Sequence, residues 1–286
     1  MLPPRSSPLV ACRAAPHKRR VNSPSPSRDL FDRNLRALRR DRAARLGPEL
    51  VLLDRAFDDC LDRLATIARR FERALLIGAP SLDWVERLGA FAATIETVDP
   101  GALFAAASGG AHVQEDRHDF GEDRFDLVIA VGTLDTVNHL PFALQLIRHA
   151  MRPDAPLLGA IAGGDSLPAL RAAMIDADRA TGGAAPRTHP RINPSSLAGL
   201  LGDAGFAMPV VDVDRVALRY RSLAALVRDL RAMAATNMLC DRAPGRGKAW
   251  AARAHAAFAA QGVDGLTEER VDILHFIGWS APKIAD

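Results

Sequence analysis

The chain has 286 residues, 48% hydrophobic and 25% charged, the usage of a globular protein with room for one large domain or two small ones. No apolar run approaches the roughly 18–20 residues of a membrane helix, which argues against stable membrane insertion. The net charge of +3 is concentrated at the start: residues 1–28 hold six Lys/Arg and no acid, and the rest carries 31 basic against 34 acidic residues, which argues against a nucleic-acid-binding core.

The opening residues Arg5, Arg13, Lys18, Arg19, Arg20 and Arg28 alternate with Pro3, Pro4, Pro8, Pro16 and "NSPSPS". This predicts a disordered basic tail over 1–28 ahead of a folded body over 29–286. The tail lacks the apolar core of a secretory signal, and its prolines interrupt the amphipathic helix of an organelle transit peptide. Cys12, Cys60 and Cys240 form neither a metal signature nor a disulfide framework. The expected compartment is the bacterial cytoplasm, with the mitochondrial matrix as the alternative.

From Leu30 the chain alternates between two periodicities. "FDRNLRALRRDRAARL" and "VLLDRAFDDCLDRLATIARRF" space apolar residues by three and four and predict amphipathic helices. "RALLIG" predicts a strand buried on both faces, "LDWVERLGAF" a helix, and "ATIETVDP" a second strand. "GALFAAAS" follows as a short helix and "AHVQED" as a third strand. "RFDLVIAVGTL", "LPFALQLIRHAM" and "PLLGAIAG" read as strand, helix and strand. Helices follow at "SLPALRAAMIDADRAT" and "PSSLAGLLGDAG". A strand at "PVVDVDRVALRY", a helical stretch over 222–262 and a last strand at "DILHFIGW" complete the chain. Alternating strands and helices predict a parallel sheet covered on both faces, in an α/β domain with a helical insertion before its last strand.

Ligands of such sheets bind beyond the carboxyl ends of the strands, where strand order reverses. Gly78, Asp99 and the loop from Gly132 to Pro141 should meet there. An acid ending the second strand is placed to accept hydrogen bonds from an adenosine ribose; Asp99-Pro100 reads equally as a turn pair. His112, His118, His139 and His189 lack the spacing of a zinc site, and no metal is expected.

"DFGEDRFDLVIAVGTLDTVNHLP" resembles the class I S-adenosylmethionine-dependent methyltransferases, with Phe125, Asp126, Leu127 and Val128 in the strand and Asn138, Leu140 and Pro141 closing the loop. The segments "LFDRNLRALRRDRAARL", "GGDSLPALR", "LLGDAGF", "DVDRVALRY", "LVRDLRAMAATN" and "FIGW" resemble one group within it. That group is the respiratory complex I assembly factors related to the biotin-pathway carrier-protein methyltransferases. The resemblance implies a Rossmann-like seven-stranded fold, S-adenosylmethionine as cofactor and a protein partner, a complex I subunit. It implies methyl transfer or arginine hydroxylation as the activity. It also implies Gly78, Asp99, Asp116 (or Glu115) and Gly132 as cofactor residues, and Asn138, Arg171, Arg231 and Asn237 as substrate or partner residues. No catalytic residue is singled out.

The chain departs from the family where the cofactor loop should be. Leu76-Ile77-Gly78-Ala79-Pro80 stands where the family resembles Asp-Leu-Gly-Cys-Gly, and Asp135-Thr136 replaces a His-Trp pair. A proline removes an N–H donor and fixes φ, so cofactor binding is expected to be weak or lost. Two other readings stay open: an active small-molecule or acyl-carrier-thioester O-methyltransferase, and a non-catalytic scaffold.

Overall fold

The computed structural model describes residues 29–281 apart from 181, 182, 184 and 244–246; the tail expected over 1–28 lies outside the described residues. Seven strands form one sheet: β1 (Phe71–Ile77), β2 (Ala92–Asp99), β3 (Ala111–His112), β4 (Leu127–Val131), β5 (Pro156–Gly163), β6 (Phe206–Tyr220) and β7 (Thr267–Ser280). Their order is β3-β2-β1-β4-β5-β7-β6. The first five run parallel, and β7 enters antiparallel between β5 and β6. The last strand expected at "DILHFIGW" thus lies beside β5, with Phe276 opposite Gly159 and Trp279 opposite Pro156.

Nine helices are described: α1 (Arg33–Leu46), α2 (Val51–Ile67), α3 (Leu82–Leu88), α4 (Ala102–Ala107), α5 (Leu140–Ala150), α6 (Pro168–Arg179), α7 (Pro194–Asp203), α8 (Leu223–Ala232) and α9 (Gly247–Ala259). The apolar runs of β1, β4 and β5 follow from cover on both faces. In β1, Ala74 and Leu76 join one core with Phe57, Trp84, Leu170, Leu226 and Phe258. Leu75 and Ile77 join the opposite core with Leu144, Ile147, Leu201 and Phe276. Phe57 and Trp84 stack at 4.2 Å, locking α2 to α3.

Buried acids position two of the elements. Asp126, opening β4, accepts from the N–H groups of Glu72 and Arg73 at 2.7 and 2.8 Å, which sets it beside β1. Glu269 of β7 accepts from the N–H groups of Ala169 and Leu170, so a carboxylate meets the positive start of α6.

Three boundaries differ from the sequence reading. The third strand contracts to Ala111–His112, because Glu115 and Asp116 turn toward α1 rather than extend the ladder. The helical stretch over 222–262 divides into α8 and α9. Strand β6 starts at Phe206, ahead of Pro209, across a register shift between Ala207 and Val210.

Candidate functional site at the carboxyl ends of the strands

Strand order reverses between β1 and β4, so the crevice for a ligand lies over their carboxyl ends. Asp99 ends β2 and is buried. Glu115 and Asp116 follow β3 and are also buried. The three acids converge there, and α1 meets all of them.

Helix α1 begins at the N-cap Asp32, whose side chain accepts from Leu35 N–H. Its Arg33, Arg36 and Arg40 share one face, because positions three and four apart stack along a helix. Arg40 donates through Nε to Asp99 Oδ1 at 2.7 Å and through Nη2 to Oδ2 at 2.5 Å. Arg36 donates to both Glu115 oxygens at 2.7 and 2.9 Å, and also to Thr133 O and Thr136 Oγ1. Arg33 donates to both Asp116 oxygens at 2.5 and 2.7 Å. Every one of the six carboxylate oxygens accepts from an arginine.

Burial sets the electrostatics. It pushes the Asp99 carboxyl above its ordinary pKa, with Arg40 and the Gly101 N–H pulling the other way. Burial also works against the Arg36 charge, but Glu115 outweighs it and holds the guanidinium above its usual value. Burial opposes the Asp116 charge too, and the Arg33 hydrogen bonds overcome it and hold that carboxyl low.

The two loop glycines pack closely against their neighbours on the side where a Cβ would stand. Gly78 has φ +89°, and a Cβ there would run into Val131 O and Thr133 Cγ2 of the β4 loop. Gly132 has φ +69°, and its missing Cβ leaves room for Leu53 Cδ2 of α2, 2.5 Å from that point. Ala79 and Pro80 are buried in the β1–α3 loop. Among the described residues the Thr133 hydroxyl is buried there without a partner, too little to hold a nucleoside. The residues present do not fit S-adenosylmethionine as they stand, because its ribose and adenine acids are engaged by arginines and Pro80 offers no N–H in the loop.

The β4–β5 side of the crevice is different. A cavity of about 100 Å³ lies among Leu52, Leu53, Val131, Leu230, Met233 and Ile273, with Asp135 and Arg191 at its polar edge. A second, of about 60 Å³, lies under Arg36, Arg40 and His189. Arg191 donates to Asp135 Oδ2 at 3.1 Å and to Ala162 O at 3.4 Å. Ligand sites for drug-sized molecules run about 300–1,000 Å³, so these cavities suit a single side chain. Arg171 and Arg191 also line an open groove of about 490 Å³.

The remaining sequence candidates separate. Asn138 exchanges two hydrogen bonds with the Phe31 backbone, at 2.7 and 2.9 Å, anchoring the entry to α1. Asn237 binds Pro186 O and Leu239 N–H within the chain. Arg171 donates to Ser166 O beside its own helix and faces the groove. Arg231 is exposed on α8. No group of His, Cys, Asp or Glu suited to a metal occurs among the described residues. Sequence reasoning missed Arg33, Arg36, Arg40 and Arg191. The signal for the first three was their spacing, which puts three cations on the face where a core helix carries apolar residues.

Comparison with known proteins agrees with this architecture. A methyltransferase domain matches residues 51–209. The mouse protein named arginine-hydroxylase NDUFAF5, mitochondrial, is 32% identical over 274 residues, covering 88% of this chain and 77% of that one. The malonyl-[acyl-carrier protein] O-methyltransferase of Xylella fastidiosa is 32% identical over 158 residues, 54% of this chain and 52% of its own. A solved Bacillus halodurans C-125 structure shares the fold at TM-score 0.53 and 10% identity, covering 77% of this chain and 98% of that chain. The chain belongs to the class I methyltransferase-domain family, in the group that includes NDUFAF5.

Proposed function

We propose that this chain serves respiratory complex I assembly by binding a protein partner, a subunit of that complex. The single observation that carries the reading is the similarity to mouse NDUFAF5, which extends over 88% of the chain and so beyond the methyltransferase domain. That relative is named an arginine-hydroxylase, so the partner residue is read as an arginine side chain. Asp135 is the acid placed to receive its guanidinium, beside an apolar cavity sized for the methylene stem. Arg191 holds Asp135 in the free chain, and on this reading the partner's guanidinium takes its place. Arg231 and Arg171, both with reach to the surface, form the flanking contacts. No helix among the described residues is long and apolar enough to cross a membrane. The compartment proposed is the bacterial cytoplasm, and cell fractionation separates it from a mitochondrial matrix.

The test is deletion of the gene followed by native-gel quantification of assembled complex I. Loss of the assembled complex, restored by the wild-type chain and not by Asp135→Asn, is the expected result. The similarity to the Xylella fastidiosa enzyme favours a second reading, a carrier-protein O-methyltransferase. Intact complex I together with a lost acyl-carrier methyl ester would select it.

A further inference from the structure

A carboxylate offers about four lone-pair sites, and a ribose diol would need two of them on Asp99. Those oxygens already accept three donors: Arg40 Nε, Arg40 Nη2 and Gly101 N–H. A ribose displacing Arg40 would strand a guanidinium whose side chain is 6% exposed and which, among the described residues, has Asp99 as its salt-bridge partner. Glu115 and Asp116, after β3, are likewise engaged by Arg36 and Arg33 through both oxygens, and the side chains of both acids are buried.

Packing gives an independent observation. Gly101, two residues after Asp99, meets Arg40 Cβ 2.6 Å from where its own Cβ would stand, so the body of α1 rests directly on the loop after β2. Arg40 also lies over the Phe104 ring of α4, at 4.9 Å from its centroid. The segment entering α1 is stitched to the far side of the molecule. Asp32 N–H donates to Met238 O, Cys240 N–H donates to Leu30 O, and Asn138 clamps Phe31. Phe31, Met238 and Leu239 close over this junction as a small core of their own. A helix held by two buried ion pairs, a third that is partly exposed at Arg33, a ring contact and an apolar anchor is built as a resident part of the cleft, unlike a lid with a free edge.

We propose that α1 is the resident ligand of the cofactor cleft: the acids that a methyltransferase fold offers to adenosine are reassigned to Arg33, Arg36 and Arg40, and the chain works without S-adenosylmethionine there. The acids are kept because they hold the helix. Ala79-Pro80 is tolerated in the loop because no cofactor passes over it. This inference rests on the family membership and the geometry of α1, and it stands whether or not the partner belongs to complex I.

Breaking one partner of a buried pair carries a penalty that lowers ligand affinity by roughly 100-fold or more. The experiment uses the full-length chain in equilibrium dialysis with labelled S-adenosylmethionine, alongside hydrogen exchange of the α1 amides with and without it. The expected result is no saturable binding up to about 1 mM, with α1 amides as protected as those of β1 and unchanged by the compound. Arg40→Ala should melt earlier than wild type, and Arg40→Lys should recover part of the loss. Saturable binding at micromolar concentration that exposes the α1 amides and is lost in Asp99→Asn would overturn the proposal. So would binding that leaves α1 protected, since the chain would then hold the cofactor without yielding the helix. Complex I levels play no part in either readout, so failure here leaves the assembly reading separately testable.

Discussion

The two halves of the crevice solve opposite problems. Over β1–β3 every acid is matched by an arginine of α1, and the result is a polar, saturated, closed interface. Over β4 and β5 the lining is apolar and under-filled, with one ion pair, Arg191–Asp135, at its edge. Saturation makes the first half costly to open, since each buried charge depends on its partner. Incomplete filling makes the second half the side on which a visiting group gains contacts at the cost of one ion pair, Arg191–Asp135. The difference places stability in one half and recognition in the other.

The largest effect should come from breaking the saturated half at its most buried pair. Arg36→Ala leaves Glu115 fully buried without a counter-ion and should cost about 3–5 kcal/mol in urea unfolding. The double change Arg36→Met with Glu115→Leu should return most of that loss, because an apolar pair carries no desolvation penalty. A double variant as unstable as the single one would show that shape rather than charge governs α1.

The boundary between the halves should respond to pH. His189 lies under the α1 arginines, its Nε2 accepts from Met238 N–H, and burial pushes its pKa down to about 4. The folded state therefore binds the His189 proton less readily than the unfolded chain does, whose ordinary value is about 6.5. The contribution is fully present above pH 6.5 and is lost progressively as pH falls toward about 4. The total is about 3 kcal/mol at roughly 1.36 kcal/mol per unit. Melting temperatures between pH 7 and 4 should fall more steeply in the wild type than in His189→Phe; equal slopes would assign the acid sensitivity elsewhere.

Breaking the under-filled half should cost less. Asp135→Asn keeps the shape and removes the charge opposite Arg191, whose side chain and partner are 10% and 14% exposed. The expected loss is about 1–2 kcal/mol, typical of a hydrogen bond to a charged group. Chemical denaturation measures it, and a loss as large as that of Arg36→Ala would erase the distinction between the halves. The smallest effect belongs to Arg231→Ala on the exposed face of α8, within about 0.5 kcal/mol. Its sign should be stabilising. Burial holds the Arg39 pKa low, and Arg42, Arg242 and Arg231 hold it lower still by repulsion. A difference melt against wild type reads that sign.

Much of the frame was legible in the residues themselves. The unbroken apolar runs at 74–77 and 127–131 allow no solvated face, and so they announce central strands with helices on both sides. The final strand was equally readable, because "DILHFIGW" is rich in the branched and aromatic side chains of a buried strand. The third strand was overestimated for a local reason. Nothing in "AHVQED" signals that Glu115 and Asp116 leave the ladder for arginines about 80 positions earlier.

The strand and helix alternation and the position of Asp99 at the end of β2 were thus legible in the sequence alone, since periodicity and apolar content report which faces are buried, whereas the strand order was set by the fold. What occupies the crevice was decided only in the tertiary structure. An arginine on a helix reads locally as a solvated charge, and its pairing with Asp99, Glu115 or Asp116 exists only once α1 lies across the strand ends. Periodicity reports whether a residue is turned inward, whereas the identity of its partner depends on distances that the chain acquires by folding.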